Sequence, residues 1–271
     1  MNRASARRIY GLIYRHVSLY RHSWPRILEL AYWPVLEMLV WGLTSKWLVA
    51  NAGTLATGPL ATGVGVLLAG ALLWQITLRA QMGMSFSFME EIWSRNLGHI
   101  SVSPLRPWEL VLGLMSMSVL RMLVGLTPAM VLAWVLYGFG IFSMGPVVVV
   151  FFVALAVSGW AVALGVTALI LRHGAGAEAL AWSVVFGLTP FACVFYPLAA
   201  LPWWVQPVAQ ALPLAHVFEG MRQALLIGTV AWGHLAAASI LAALWLAAMA
   251  WVFKAQFEGA RVRGALLNIG E

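Results

Sequence analysis

The stretch "VVVVFFVALAVSGWAVALGVTALIL", residues 147–171, runs for twenty-five positions without one charged side chain. A helix needs roughly 20 apolar residues to cross about 30 Å of hydrocarbon, so this run crosses a bilayer with residues to spare. Backbone polar groups find no water at that depth and must be satisfied within the run, as a helix does. The rest of the chain agrees. Of its 271 residues, 62% are hydrophobic and 9% charged, against about 25% charged in a soluble domain. The sequence reads as an all-α integral membrane protein.

Apolar runs place six transmembrane helices, at 27–50, 59–80, 108–137, 146–171, 179–198 and 231–253. The basic residues sort by loop. Arg3, Arg7, Arg8, Arg15, Arg21 and Arg26 precede the first span. Arg95 and Arg106 follow the second, Arg172 the fourth, and Lys254, Arg261 and Arg263 the sixth. The intervening turns "NAGTLATG" and "GFGIFSMG" carry none. That alternation puts both termini in the cytoplasm. Neither a cleavable leader nor a separate soluble domain is expected, so residues 1–271 read as one multi-pass membrane domain.

What the chain lacks excludes several chemistries. Its nine acidic residues are all glutamate, and its two lysines, Lys46 and Lys254, follow no glycine-rich phosphate loop. Any nucleotide hydrolysis must then occur on another chain. A single cysteine, Cys193, excludes an internal disulfide and a cysteine-cluster metal site. His216 and His234 look too isolated in sequence to bind metal, and the twelve methionines read as packing. The net charge of +7 is spent on orientation in the bilayer, not on nucleic acid.

Before the first span, Ile9, Leu12, Ile13, Val17 and Tyr20 recur at helical spacing, with Arg8, Arg15 and His22 on another face. Residues 1–24 read as an interfacial helix lying in the membrane plane; the alternative is a basic leader that only sets topology. Between the second and third spans, 89–97 forms a short amphipathic helix, with Ile92, Trp93 and Leu97 apolar, Glu90, Glu91 and Arg95 charged, and Gly98 as its C′ residue. It is either a solvated cap or a docking element.

The segment "YPLAALPWWVQPVAQALPL", residues 196–214, has four prolines and no charge. Proline breaks a helix, yet the segment is too apolar for an open loop. Irregular backbone at membrane depth must be shielded by protein or a wet cavity. Residues 199–228 therefore read as a re-entrant helical hairpin on the outer face, with a helix starting at Pro202, another at Pro213, and Trp203 and Trp204 at headgroup depth. Glu219 and Arg222, three residues apart, can pair or face water together. The bland reading is an outer loop with amphipathic turns.

Ionisable groups at mid-bilayer cost at least ~2.5–3.5 kcal/mol. Glu37 and Arg121 are the deep ones; they face the protein interior and either pair or line a substrate cavity, the alternatives being a static structural pair or a span boundary that puts one of them at an interface. Arg79 falls near the cytoplasmic edge and can snorkel, and Lys46 snorkels outward. Most of the fifteen tryptophans sit near span ends as interface anchors, while Trp41, Trp74, Trp134, Trp160 and Trp182 lie deeper.

Tyr196-Pro197, Leu201-Pro202-Trp203, Pro213-Leu214, Glu219 and Arg222 resemble the C-terminal signature of the ABC-2 type permeases, the membrane halves of certain ABC exporters. The stretch 90–107 is similar to that family's coupling helix and its following "SPL-x-P" turn, and "YRHSWPRILELAYWPVLEMLVWGL" to its entry into the first span. The resemblance implies two permease copies, most simply a homodimer, docked on two ATPase subunits that hold ATP and Mg²⁺. It implies that Glu90, Glu91, Ile92, Trp93, Arg95 and Asn96 contact the ATPase. It makes Tyr196, Pro197, Pro202, Trp203, Pro213, Glu219 and Arg222 an extracellular gate. The substrate would be a glycan, lipid or drug, amphipathic or lipid-linked, exported through a bacterial inner membrane among its lipids. Two other classes stay open on the residues alone: an ion-coupled secondary transporter, with Glu37 as lone carboxylate candidate, and a membrane-embedded lipid or glycan transferase.

Overall fold

A computed structural model describes residues 3–21, 23–51 and 59–264. His22 and residues 52–58, most of the expected loop between the first two spans, lie outside them, as do residues 1–2 and 265–271. Among the described residues, ten α-helices run in the order α1 (Arg3–Arg21), α2 (Trp24–Asn51), α3 (Pro59–Trp93), α4 (Leu97–Val102), α5 (Pro107–Tyr137), α6 (Val147–His173), α7 (Leu180–Ala192), α8 (Gln206–Gln210), α9 (Pro213–Leu226) and α10 (Trp232–Val262). Among the described residues there is no strand.

Among the described residues, four helices are long and apolar enough to cross a membrane: Trp24–Leu48, Pro107–Tyr137, Val147–His173 and Trp232–Val262. They match the first, third, fourth and sixth expected spans. The other two differ from expectation. α3 continues past the expected end at 80 to Trp93; its 35 residues extend about 52 Å at ~1.5 Å per residue. The excess is held by partners. Gln81 donates to Ser85 and to the Ala181 carbonyl, and Ser87 donates to the Gly83 carbonyl. The expected span 179–198 instead ends at Ala192. α7 has 13 residues, about 20 Å of helix, because Cys193 turns into the left-handed region at φ 55°.

α6 is the hub. It packs against α3, α9 and α10, and 61% of its most apolar window is buried, against 17% for α2 and 11% for α10. Those two outer helices thus keep apolar flanks for lipid or another chain. The interior forms two layers. One gathers Met38, Leu73, Met122, Phe151, Leu155, Phe218 and Met221. The other gathers Met84, Phe88, Ile92, Leu114, Leu164, Phe253 and Phe257. Small residues let the backbones approach, as membrane helix pairs require. A Cβ at Gly159 on α6 would lie 2.6 Å from the Thr77 carbonyl oxygen of α3, and one at Gly125 on α5 would lie 2.6 Å from the Leu30 carbonyl of α2.

A polar chain stitches the centre. Trp160 Nε1 donates to Ser118 Oγ at 3.2 Å, and Ser118 Oγ donates to the Ala80 carbonyl at 2.8 Å. Trp160 is thereby a packing residue joining α6, α5 and α3.

Candidate functional site

Three arrangements of polar groups stand out from this apolar frame. The first is a groove of about 640 Å³ between α1, α2, α3, α5 and α7. Its walls mix aromatic rings with ionisable groups: Trp33, Trp74, Phe86, Trp182 and Phe186 beside Glu29, Glu37, Arg79 and Arg121. Trp182 stacks on Phe186 with centroids 6.2 Å apart and tilts against Phe86 at 5.7 Å. Glu37 and Arg121 both line the groove but do not meet. Glu37 accepts from Gln75 Nε2, and Arg121 Nη2 pairs with Glu90 at 2.9 Å. Arg79, expected to snorkel at the cytoplasmic edge, lines the groove instead, since α3 runs on beyond it. Its Nε and Gln75 Oε1 are buried without a hydrogen-bond partner among the described residues. Of the deep tryptophans, Trp74 and Trp182 line this groove, and Trp41 stacks on Phe195 at 4.2 Å.

The second arrangement anchors α1 to the end of α3. His16 is buried completely. Its Nδ1 lies 3.2 Å from Glu90 Oε2, and its Nε2 lies 3.1 Å from Glu91 Oε1. The second contact is a charge contact whose alignment is not that of a hydrogen bond. A ring with a carboxylate at each nitrogen is an imidazolium. Burial opposes that charge, but the contacts with Glu90 and Glu91 outweigh it and raise the His16 pKa. Burial likewise opposes the charge on Glu91, yet His16, Arg15 and Asn96 hold its pKa down at about 2. Arg15 pairs with Glu91, Asn96 Nδ2 donates to Glu91 at 2.6 Å, and Arg26 stands 3.8 Å from Glu90. The Arg121 guanidinium sits over the Tyr20 ring at 4.6 Å. Arg8 Nε adds a 2.8 Å bond to Glu109, which also closes the capping box of α5.

This cluster corrects the expected helix over 89–97. Residues 89–93 are the last turns of α3. The left-handed residue is Arg95, φ 52°, not Gly98, and a separate helix follows at Leu97–Val102. Glu91 and Ile92 are buried and Glu90 nearly so. The motif "MEEIW" looks like a surface turn because the groups that neutralise it lie about 75 residues upstream on α1 and 31 residues downstream on α5. Trp93, at 55% exposed, and Val102, at 83%, face outward in this region.

The third arrangement answers how the proline-broken stretch is satisfied. The chain leaves α7 at Cys193, passes Pro197, makes one 3₁₀ turn at Leu198–Ala200 and enters α8. Pro202 lies in the turn ahead of α8, so no helix begins there; Pro207 is the proline in that helix's first turn. Pro213 does start a helix, α9. Arg222 Nη1 donates to the Cys193 carbonyl at 2.8 Å and Nη2 to Glu219 Oε1 at 2.9 Å; the same carboxylate oxygen accepts the Leu198 N–H at 2.6 Å. One ion pair thus takes up the carbonyl and the amide freed by the break. Tyr196 Oη donates to the Pro190 carbonyl at 2.5 Å. Trp203 and Trp204 are exposed.

The family profile described as ABC-2 type transporter matches residues 10–226. The chain belongs to that family. The match takes in the groove, the part of α1 that carries Arg15, His16 and Tyr20, and the whole broken segment, and ends at the last residue of α9. The chain is therefore an ABC permease subunit, multi-pass in a membrane, of a family that pairs with an ABC ATPase. A comparison with curated proteins finds no match. In the permease, sequence reading missed His16, Gln75, Arg79 and Glu109 as partners in these arrangements. Only Glu109 carried a local signal, its place in the first turn of α5.

Proposed function

We propose that the permease is the pathway-forming half of an ATP-driven exporter for an amphipathic or lipid-linked substrate. The groove is the observation that carries this reading. Aromatic faces and apolar walls suit an acyl or polyprenyl portion or a sugar ring. Arg79 and Gln75, each with hydrogen-bonding capacity left over, suit a polar head. A second copy of the chain, laid against the apolar flank of α2, would close the groove into a conduit. α3 and α7 with its broken segment supply the two remaining crossings of a six-span topology with both termini cytoplasmic, in a bacterial inner membrane. Tyr196, Pro197, Pro202, Trp203, Pro213, Glu219 and Arg222 form the outer gate.

Two ATPase subunits, carrying ATP and Mg²⁺, dock at the cytoplasmic end. With Glu91 and Ile92 buried and Glu90 only partly exposed, the exposed Trp93, Arg95 and the far end of α4 are favoured as the docking surface. Glu90, Glu91 and Asn96 then transmit force by tying that surface to α1 and Arg121. Purification through a tag on this chain should bring down a P-loop ATPase. Trp93→Ala with Val102→Glu should weaken that association and leave the permease folded. Transport that persists without a nucleotide-hydrolysing partner and stops when an ionophore collapses an ion gradient would overturn the proposal.

A further inference from the structure

Two histidines at the α9–α10 joint take no part in the groove, the α1 anchor or the broken-segment ion pair. His216 lies in the first turn of α9 and His234 in the first turn of α10. Their Nδ1 atoms stand 3.2 Å apart, with ring centroids at 5.4 Å and planes tilted by 41°. On its other side, His216 Nε2 lies 2.9 Å from the Gln210 carbonyl. A carbonyl only accepts, so Nε2 carries the proton and the neutral ring presents a lone pair at Nδ1. A metal-bound imidazole is held in the same way, its second nitrogen donating to a backbone carbonyl that fixes tautomer and ring plane.

The spacing fits as well. Two imidazole nitrogens bound to one tetrahedral ion at ~2.0–2.1 Å each lie about 3.3 Å apart. The joint that brings the rings together is held by Trp245 Nε1 on α10, which donates to the Ala211 carbonyl at 3.0 Å, and by Gly228, which turns the connection at φ 73°. We propose that His216 and His234 form a two-histidine site for a divalent transition metal of the zinc or copper class, which imidazole suits. Both rings are partly exposed, and among the described residues no third histidine, cysteine or acid joins them. Water completes the coordination shell. With His216 Nδ1 accepting, the hydrogen of the present contact sits on His234 Nδ1; an ion takes its place as that proton moves to His234 Nε2, and ties the hairpin helix α9 to the last long helix.

The test takes the full-length permease with a histidine-free tag, in lipid nanodiscs, titrated separately with Cu²⁺ and Zn²⁺. Electron paramagnetic resonance of the copper form counts coordinated nitrogens; calorimetry follows zinc. One saturable ion per chain with a two-nitrogen signature is expected, and His216→Ala or His234→Ala should each lower affinity at least ~10-fold. His216→Gln and His234→Gln keep size and polarity and should lose affinity likewise, which separates ligand loss from misfolding. His173→Ala should change nothing. Absence of a saturable site, or a two-nitrogen signal that survives both replacements, overturns the proposal and leaves the pair a hydrogen-bonded contact.

Discussion

Arg222→Met keeps most of the side chain's length and removes the guanidinium that joins the two ends of the broken segment. The Cys193 carbonyl, which accepts from Arg222 at 2.8 Å, is then left without its partner, a loss of about 1–3 kcal/mol. Breaking a buried pair by removing one member costs ~3–5 kcal/mol, but the Glu219 side chain is 21% exposed and still accepts the Leu198 N–H. The pair's share is therefore discounted for solvent. A net fall of about 2–3 kcal/mol in the free energy of local opening follows. The assay is built into the chain, because Cys193 is the one cysteine and is fully buried. At ~1.4 kcal/mol per factor of ten, maleimide labelling of Cys193 should speed up about 30- to 140-fold in Arg222→Met. The double variant Glu219→Gln/Arg222→Met should label more slowly than the single one. Its glutamine still accepts the Leu198 amide and no unpaired charge remains. Unchanged labelling in the single variant, or faster labelling in the double, would refute the idea that this pair satisfies the broken backbone.

Other consequences concern the anchor and the packing. Since the His16 pKa is raised, its contribution to docking α1 is complete below the ordinary value of 6.5 and fades as pH climbs through the raised one. Amide exchange in α1, corrected for intrinsic rate, should speed up over that upper range, and His16→Gln should abolish the dependence. Glu91 works in the opposite sense: its contacts persist until pH falls toward about 2. Gly159→Ala would drive a methyl to 2.6 Å from the Thr77 carbonyl oxygen and 2.7 Å from Ala80 Cβ. It should destabilise the α3–α6 contact by about 1–3 kcal/mol in a thermal-shift measurement. Gly11→Ala, with nothing within 4 Å of its added carbon, should instead raise stability by up to ~1 kcal/mol. Arg95→Gly relieves a left-handed backbone at φ 52° and should stabilise the isolated permease by about 1 kcal/mol; destabilisation there would mean that the arginine side chain holds the turn.

The positions of the long helices were legible because hydropathy is a local property. Where an apolar run had clear ends, as in α5 and α6, expectation and structure agree within a residue or two. The two spans whose ends differ from expectation do so for opposite reasons. α3 is lengthened because charges distant in sequence neutralise its polar end. α7 is shortened because a left-handed cysteine, a conformation no sequence pattern announced, ends it before Pro197. Glu219 and Arg222 were visible as a pair from their spacing of three, but not that they share the freed backbone groups. His216 and His234 looked unrelated at eighteen residues apart; the turn between α9 and α10 brings them into contact.

By itself, the sequence determined that this chain lives in a bilayer as helices, that it carries no phosphate loop, and that its stretch 196–214 is broken by prolines. Those conclusions depend on the solvation of individual residues and on the geometry of single peptide units, which neighbours in sequence largely settle. Which charge meets which was decided only by the tertiary structure. In a low-dielectric interior an ionised side chain must find its partner wherever the packing of helices puts one. The packing of α1, α3 and α5 joined His16, Glu90 and Arg121 across more than a hundred residues of chain.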